Sequence, residues 1–152
     1  MMTRKRRKAV SDMREILFRG KNIDDDKWLE GDLFQNKISS FIRATNDELY
    51  YTHEKVTPET VGQYTGLTDK NGKKIFEGDI VRADDYIFSI KYGKCGGTPN
   101  ADNYGYMGFY LEAVSEGTKL CAHYGLRDDI CYFEDISVIG NIHDNPELLK
   151  GE

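Results

Sequence analysis

Apolar and polar positions alternate along this chain in short runs, separated by polar turn compositions at regular spacing. Glu15 to Arg19 and Trp28 to Phe34 predict strands around the polar turn Asn22-Ile23-Asp24-Asp25-Asp26. Ile38 to Arg43 and Glu48 to Thr52 predict two more, split by Thr45-Asn46-Asp47. Val61 to Thr65 and Lys74 to Phe76 flank Asp69-Lys70-Asn71-Gly72. The Asn71-Gly72 pair accepts the positive φ angles of a tight hairpin, and a hairpin is predicted there. Ile80 to Ala83, Tyr86 to Tyr92, Tyr106 to Val114, Leu120 to Tyr124, Ile130 to Phe133 and Ser137 to Ile142 complete the strands, with Gly93 to Gly105 as a glycine-rich loop. Thr57-Pro58-Glu59 and Asn145-Pro146-Glu147 each place a capping side chain before a proline and an acid, which predicts short helical turns. No long stretch keeps a 3.6-residue period, so the pattern predicts a mostly-β barrel or sandwich.

A weak internal repeat points to a barrel of two related halves. Leu29-Glu30-Gly31-Asp32-Leu33 matches Phe76-Glu77-Gly78-Asp79-Ile80, and Val61-Gly62-Gln63-Tyr64 matches Ile139-Gly140-Asn141-Ile142. Gly31 and Gly62 lie 31 residues apart and Gly78 and Gly140 lie 62 apart, so the second half carries an insertion. The loop and hairpin between Tyr92 and Gly125 account for it. In each copy a Gly-Asp pair precedes apolar residues, as at a turn entering a strand, where glycine frees the backbone and aspartate accepts backbone amides. Glu30, Asp32, Glu77 and Asp79 could instead form a carboxylate cluster for metal or acid–base chemistry, since residues two apart share a strand face. Turn chemistry explains the pairs with less.

Charge divides the chain unevenly. Arg4, Lys5, Arg6, Arg7 and Lys8 against Asp12 give residues 1–12 a balance of +4, so the remainder holds −9 of the total −5. Residues 1–12 read as a basic, disordered arm, or as lying upstream of a start at Met13, and residues 13–152 as one domain. The arm could touch nucleic acid or a membrane surface, while the acidic body repels phosphate backbones. The apolar fraction of 39% and charged fraction of 31% are those of an ordinary globular chain, with no apolar run long enough to span a membrane. Cys95, Cys121 and Cys131 are an odd set without a secretory signal, which reads as thiols in a reducing cytoplasm.

The segment Thr60 to Val81, TVGQYTGLTDKNGKKIFEGDIV, resembles the signature of the YopX family. Met13 to Arg19 and Val138 to Leu149 are similar to that family's ends, while Asp84 to Glu134 matches only weakly. The resemblance implies an SH3-like β-barrel carried by a bacteriophage or prophage, with Met13 as the family start. It implies no reaction, catalytic residue or cofactor.

The remaining chemistry is sparse. Cys121 and His123 would share a strand face, and Cys95 and Cys131 could complete a Cys₃His set, but the spacing fits no known zinc motif and core thiols are expected. Lys91 to Thr98 lacks the Gly-Lys-Ser/Thr ending of a phosphate loop, and Asp69-x-Asn71 lacks the later ligands of a calcium loop. His53, His123 and His143 stand in no nucleophile context. Tyr104, Tyr106, Phe109 and Tyr110 cluster on one segment and form the candidate binding surface. Aromatics there could stack bases, but no Lys or Arg lies between Lys94 and Lys119, and packing of tyrosines on a sheet is the simpler account. The sequence thus predicts a cytoplasmic, non-enzymatic binding protein without cofactor or membrane partner. Its leading partner is a host or phage protein, and nucleic acid or a nucleotide is the alternative.

Overall fold

The computed structural model describes residues 14–44, 53–95, 106–114 and 135–150. Ten strands form in them: β1 (Phe18–Lys21), β2 (Trp28–Gln35), β3 (Ser40–Ala44), β4 (Glu54–Val56), β5 (Gly62–Thr68), β6 (Lys74–Phe76), β7 (Asp79–Ala83), β8 (Tyr86–Cys95), β9 (Tyr106–Ala113) and β10 (Ile136–Asn141). All ladders are antiparallel and make two sheets, in the orders β4-β3-β2-β1-β5-β6 and β10-β7-β8-β9. The helical elements of the described residues are single 3₁₀ turns at Pro58–Thr60 and Pro146–Leu149. No helix among the described residues is long and apolar enough to cross a membrane.

The chain is therefore mostly β. Among the described residues, however, no ladder closes the sheets into a barrel. The two sheets are joined at Glu77-Gly78, where the chain leaves one for the other. Glu77 N–H donates to Gln63 O at 2.9 Å on the first sheet, and the next amide, Gly78 N–H, donates to Ile90 O at 2.8 Å on the second. Gly78 turns between them at φ +88°.

The expected duplication does not carry over to conformation. Gly78 sits in a turn, whereas Gly31 lies inside β2, opposite both Phe18 of β1 and Ala44 of β3. A Cβ on Gly31 would stand 1.7 Å from Arg43 O, so glycine is required there by the approach of β3 and not by a turn. The two aspartates differ as sharply: Asp32 is exposed, and Asp79 is buried. Gly62 and Gly140 do share a cause. A Cβ would meet Glu77 O or Asn145 Oδ1 at 2.5 Å in either case.

The Asn71-Gly72 hairpin also differs in kind from a turn with both central residues at positive φ. Only Gly72, at φ +78°, is left-handed. Asp69 N–H donates to Lys73 O at 2.8 Å and Gly72 N–H to Asp69 O at 3.0 Å, the pattern of a three-residue loop ending in a left-handed glycine. Neither predicted capping side chain caps its 3₁₀ turn; the Asn145 Oδ1 accepts instead from Asn141 N–H at 3.2 Å. β8 runs on through Gly93, Lys94 and Cys95, which the sequence reading assigned to a loop. The predicted strands Glu48 to Thr52, Leu120 to Tyr124 and Ile130 to Phe133 lie outside the described residues.

Alternation along β7, β8 and β9 builds the larger core from Val81, Ala83, Phe88, Ile90 and Leu111, joined by Ile136 and, from β6, Ile75. Full burial of each of these side chains except Ala83 is worth roughly 1.5–3 kcal/mol. A smaller cluster of Leu17, Tyr64 and Phe76 forms under β1, β5 and β6.

Candidate functional site

Two places bring chemistry-bearing side chains together: a polar seam between the sheets and an apolar ribbon at the end of the second sheet.

The seam begins with β1. Leu17, Arg19 and Lys21 share one strand face by alternation, so a face that starts in the small core turns cationic along its length. Arg19 is 8% exposed. Its NH1 pairs with Asp79 Oδ1 at 2.7 Å, NH2 donates to Glu77 O at 3.3 Å, and the guanidinium carbon lies 4.7 and 4.9 Å from the Trp28 and Phe76 ring centroids. Two aromatic faces therefore replace much of the water around the cation. Asp79 also accepts from Phe76 N–H at 2.8 Å. Burial pushes the Asp79 carboxyl up, and Arg19 and the Phe76 amide pull it back without offsetting that.

Next along the seam, Asp144 is held by the Lys21 ammonium, by Trp28 Nε1–H at 2.7 Å and by Asn141 Nδ2–H at 3.1 Å. Those donors, Lys21 and Trp28 foremost, hold its carboxyl well below the usual range. His143 lies 6.0 Å from the Trp28 ring. Burial, with Arg19 and Lys21 nearby, pushes its imidazole below 6.5, so it is neutral at pH 7. Asp69 ties the hairpin to β10: its carboxylate accepts from Asn71, Lys73 and Val138 N–H at 2.9, 2.9 and 3.0 Å. Burial opposes that charge, but the three amides prevail and lower the carboxyl. Each of these acids is thus committed to a structural partner. Among the described residues no group of three or more His, Cys, Asp or Glu side chains could hold a metal ion, and Cys121, His123 and Cys131 lie outside them.

The ribbon is made by β8 and β9. β7 pairs with β8 only from Tyr86 to Ser89, whereas β9 follows β8 from Phe88 to Cys95. From Ile90 onward β8 thus has β9 as its only ladder partner among the described residues. Tyr92 and Lys94 continue the core face of Phe88 and Ile90, and their partners Phe109 and Met107 continue that of Leu111. Tyr92 is 52% and Met107 65% exposed. Tyr92 and Phe109 meet edge to face at 5.1 Å, and Lys91 pairs with Glu112 at 3.2 Å on the opposite face. These contacts stiffen a pair of strands that would be marginal alone.

The sequence-predicted aromatic surface is therefore split. Phe109 faces the apolar side, half-buried, while Tyr110 opposes Lys91 and lies on the other side. Tyr106 begins β9 opposite Cys95, and Tyr104 lies outside the described residues. Tyr92 and Met107 were missed because Tyr92 ended a predicted core strand and Met107 sits among glycines; pairing the alternation of the two strands would have found them. Arg4, Lys5, Arg6, Arg7 and Lys8 lie outside the described residues.

A search of curated proteins found no match. Among solved structures the chain is similar to protein EF1440 from Enterococcus faecalis, at 28% identity and a TM-score of 0.51, over 90% of this chain and 99% of that one. Residues 17–150 match the family described as YopX protein, nearly the whole length from β1 to the final 3₁₀ turn. The chain belongs to the YopX family.

Proposed function

We propose that this protein is a phage-encoded, non-enzymatic binding protein of the bacterial cytoplasm, and that it recognises a host or phage protein through the apolar face of the β8–β9 ribbon. The observation that carries the reading is the continuation of the core face past the end of β7, leaving Tyr92 and Met107 in solvent beside Phe109. Such a strip is costly to leave wet, and tyrosine and methionine supply adaptable contact area at little loss of rotamer freedom. Commitment of Asp69, Asp79 and Asp144 to structural partners supports a role without catalysis. The phage setting is what the family resemblance implies, and the unpaired number of cysteines supports a reducing compartment. Short antiparallel strands joined by tight turns support the finer SH3-like likeness, in a version whose ladders among the described residues form two sheets.

Affinity capture from the bacterial host tests this reading with the full chain and two variants, Tyr92→Glu and Met107→Glu. Met107 is the more exposed of the two, so Met107→Glu should keep the wild-type melting temperature, whereas Tyr92→Glu also removes the ring contact with Phe109 and is read beside its own melting temperature. One defined protein is expected with the wild type and lost with each variant. Retention of the same protein by both variants, or capture that depends on nucleic acid and vanishes with nuclease, overturns it.

A further inference from the structure

The loop between β5 and β6 carries the chain's one Asn-Gly pair, Asn71-Gly72. In such a pair the backbone nitrogen after the asparagine can attack the side-chain amide carbon, because glycine has no side chain to block the approach. That chemistry needs only water and hydroxide. The loop is separate from the ribbon, and its chemistry stands whether or not the ribbon docks a protein.

The fold leaves the electrophile open and restrains the nucleophile. Asn71 and Gly72 are both exposed, and a Cβ on Gly72 would meet nothing within 4 Å. The Asn71 side-chain amide has no hydrogen-bond partner among the described residues. Against this, the Gly72 N–H donates to Asp69 O at 3.0 Å. The amides on either side, Asn71 N–H and Lys73 N–H, both donate to Asp69 Oδ1 at 2.9 Å. To attack, Gly72 N must give up its proton and turn towards the Asn71 side chain, so its bond to Asp69 O has to open first. The Asp69 carboxylate, kept charged by its amide donors, also opposes the negative charge that builds on Gly72 N.

We propose that Asn71 is a site of spontaneous deamidation, timed by opening of the Asp69 clamp, and that its conversion loosens β10. Gly72 N loses its proton to hydroxide and bonds to the side-chain carbonyl carbon of Asn71. The bond from that carbon to the amide nitrogen breaks, and the nitrogen takes a proton from water and leaves as ammonia. Water then opens the cyclic imide at either carbonyl, which leaves aspartate or its isoaspartyl isomer. The isomer runs the backbone through an extra methylene, and a three-residue loop has no slack to absorb it. The aspartate sets a second carboxylate beside that of Asp69. Either product disturbs the loop that ties the first sheet to β10, where Lys70 N–H donates to Ile136 O at 2.9 Å and Val138 N–H to Asp69 Oδ2 at 3.0 Å.

Peptide mass spectrometry of the full chain, incubated at mildly alkaline pH with and without urea, reads the reaction directly. Asn71 is expected to gain the mass of an amide-to-acid change in the folded chain, and at least about fivefold faster in urea, the scale of one hydrogen bond opened. Asp69→Ala should speed the folded reaction by at least about the same factor. Asp69→Asn keeps the acceptor and loses the charge, so its rate should fall between those of the wild type and Asp69→Ala. Where Asp69→Ala does not fold, Asp69→Asn against the wild type carries the comparison. The converted chain, separated by its added negative charge, should melt lower and exchange its Lys70 and Val138 amides faster. Asn71→Ser, incubated alongside, should show neither change. No conversion of the folded chain while the urea sample converts fully, equal rates in both, indifference to the Asp69 changes, or unaltered exchange at Lys70 and Val138 overturns the proposal.

Discussion

At the scale of residues, the seam is organised by one buried ion pair, and its worth is easily misread. Arg19 and Asp79 are 10% and 2% exposed at their side chains, and burial still raises the aspartate against the pull of its partner. Desolvation thus cancels much of the attraction, and the pair aligns the sheets more than it stabilises them. Asp79→Ala leaves a buried guanidinium without its carboxylate and should cost about 3–5 kcal/mol in urea unfolding. The double change Arg19→Met with Asp79→Leu should cost less than that single one, which a double-mutant cycle would read as coupling. The acid response follows from the other seam groups. His143 is lowered from 6.5, so as the pH falls through 6.5 the unfolded chain takes up its proton first and stability declines. Asp144 and Asp69 are lowered from 3.8; the stability they give is present above that value and is lost as the pH falls through their folded-state values. Asp79, raised, works the opposite way, losing its contribution as the pH rises past 3.8. Urea midpoints should therefore fall from neutral pH down to about 5, and His143→Gln should abolish that upper decline while leaving the carboxylate stage. A flat profile for the wild type in that range would refute the assignment to His143.

Among the elements, the same pentapeptide pattern serves two different ends, which separates what the sequence makes legible from what it hides. Strand positions were readable because alternation and turn residues are local: Lys74–Phe76 was predicted residue for residue, and most other strands within a few positions. Partners were not readable. Gly31 and Gly78 occupy equivalent places in Leu29–Leu33 and Phe76–Ile80, yet only the neighbouring strand tells that Gly31 is needed for contact and Gly78 for its φ. Likewise Arg19 and Asp79 lie sixty positions apart, and no local pattern joins them. The two glycines should respond differently. Gly78→Ala meets only ordinary contacts near 3.7 Å, so its cost is backbone strain of about 1–3 kcal/mol. Gly31→Ala must push β3 away from β2 and should lose the β2–β3 ladder altogether, seen as fast amide exchange from Ser40 to Ala44. Equal, mild losses at both sites would mean that the repeat is structural after all.

For the whole molecule, labour is divided between two sheets: one meets its partner sheet through a charged seam, and the other extends its core face into solvent. The seam was hidden in the sequence by distance. The ribbon was half visible, as an aromatic segment whose faces could not be sorted before β8 and β9 were paired in register. Charge bears on the partner at this scale as well. With −9 outside the first twelve residues, a chain beginning at Met13 should show no measurable affinity for DNA or RNA at physiological salt, by fluorescence anisotropy. Retained binding by that shortened chain, lost on Phe109→Ala, would replace protein recognition with base stacking. The most direct test places a photo-crosslinking residue at position 107, in the full chain expressed in its bacterial host. A discrete protein adduct, suppressed when Tyr92 is changed to Glu, is the predicted result. Adducts to nucleic acid, or a protein adduct indifferent to Tyr92, would contradict the claim that the ribbon face is a protein-docking surface.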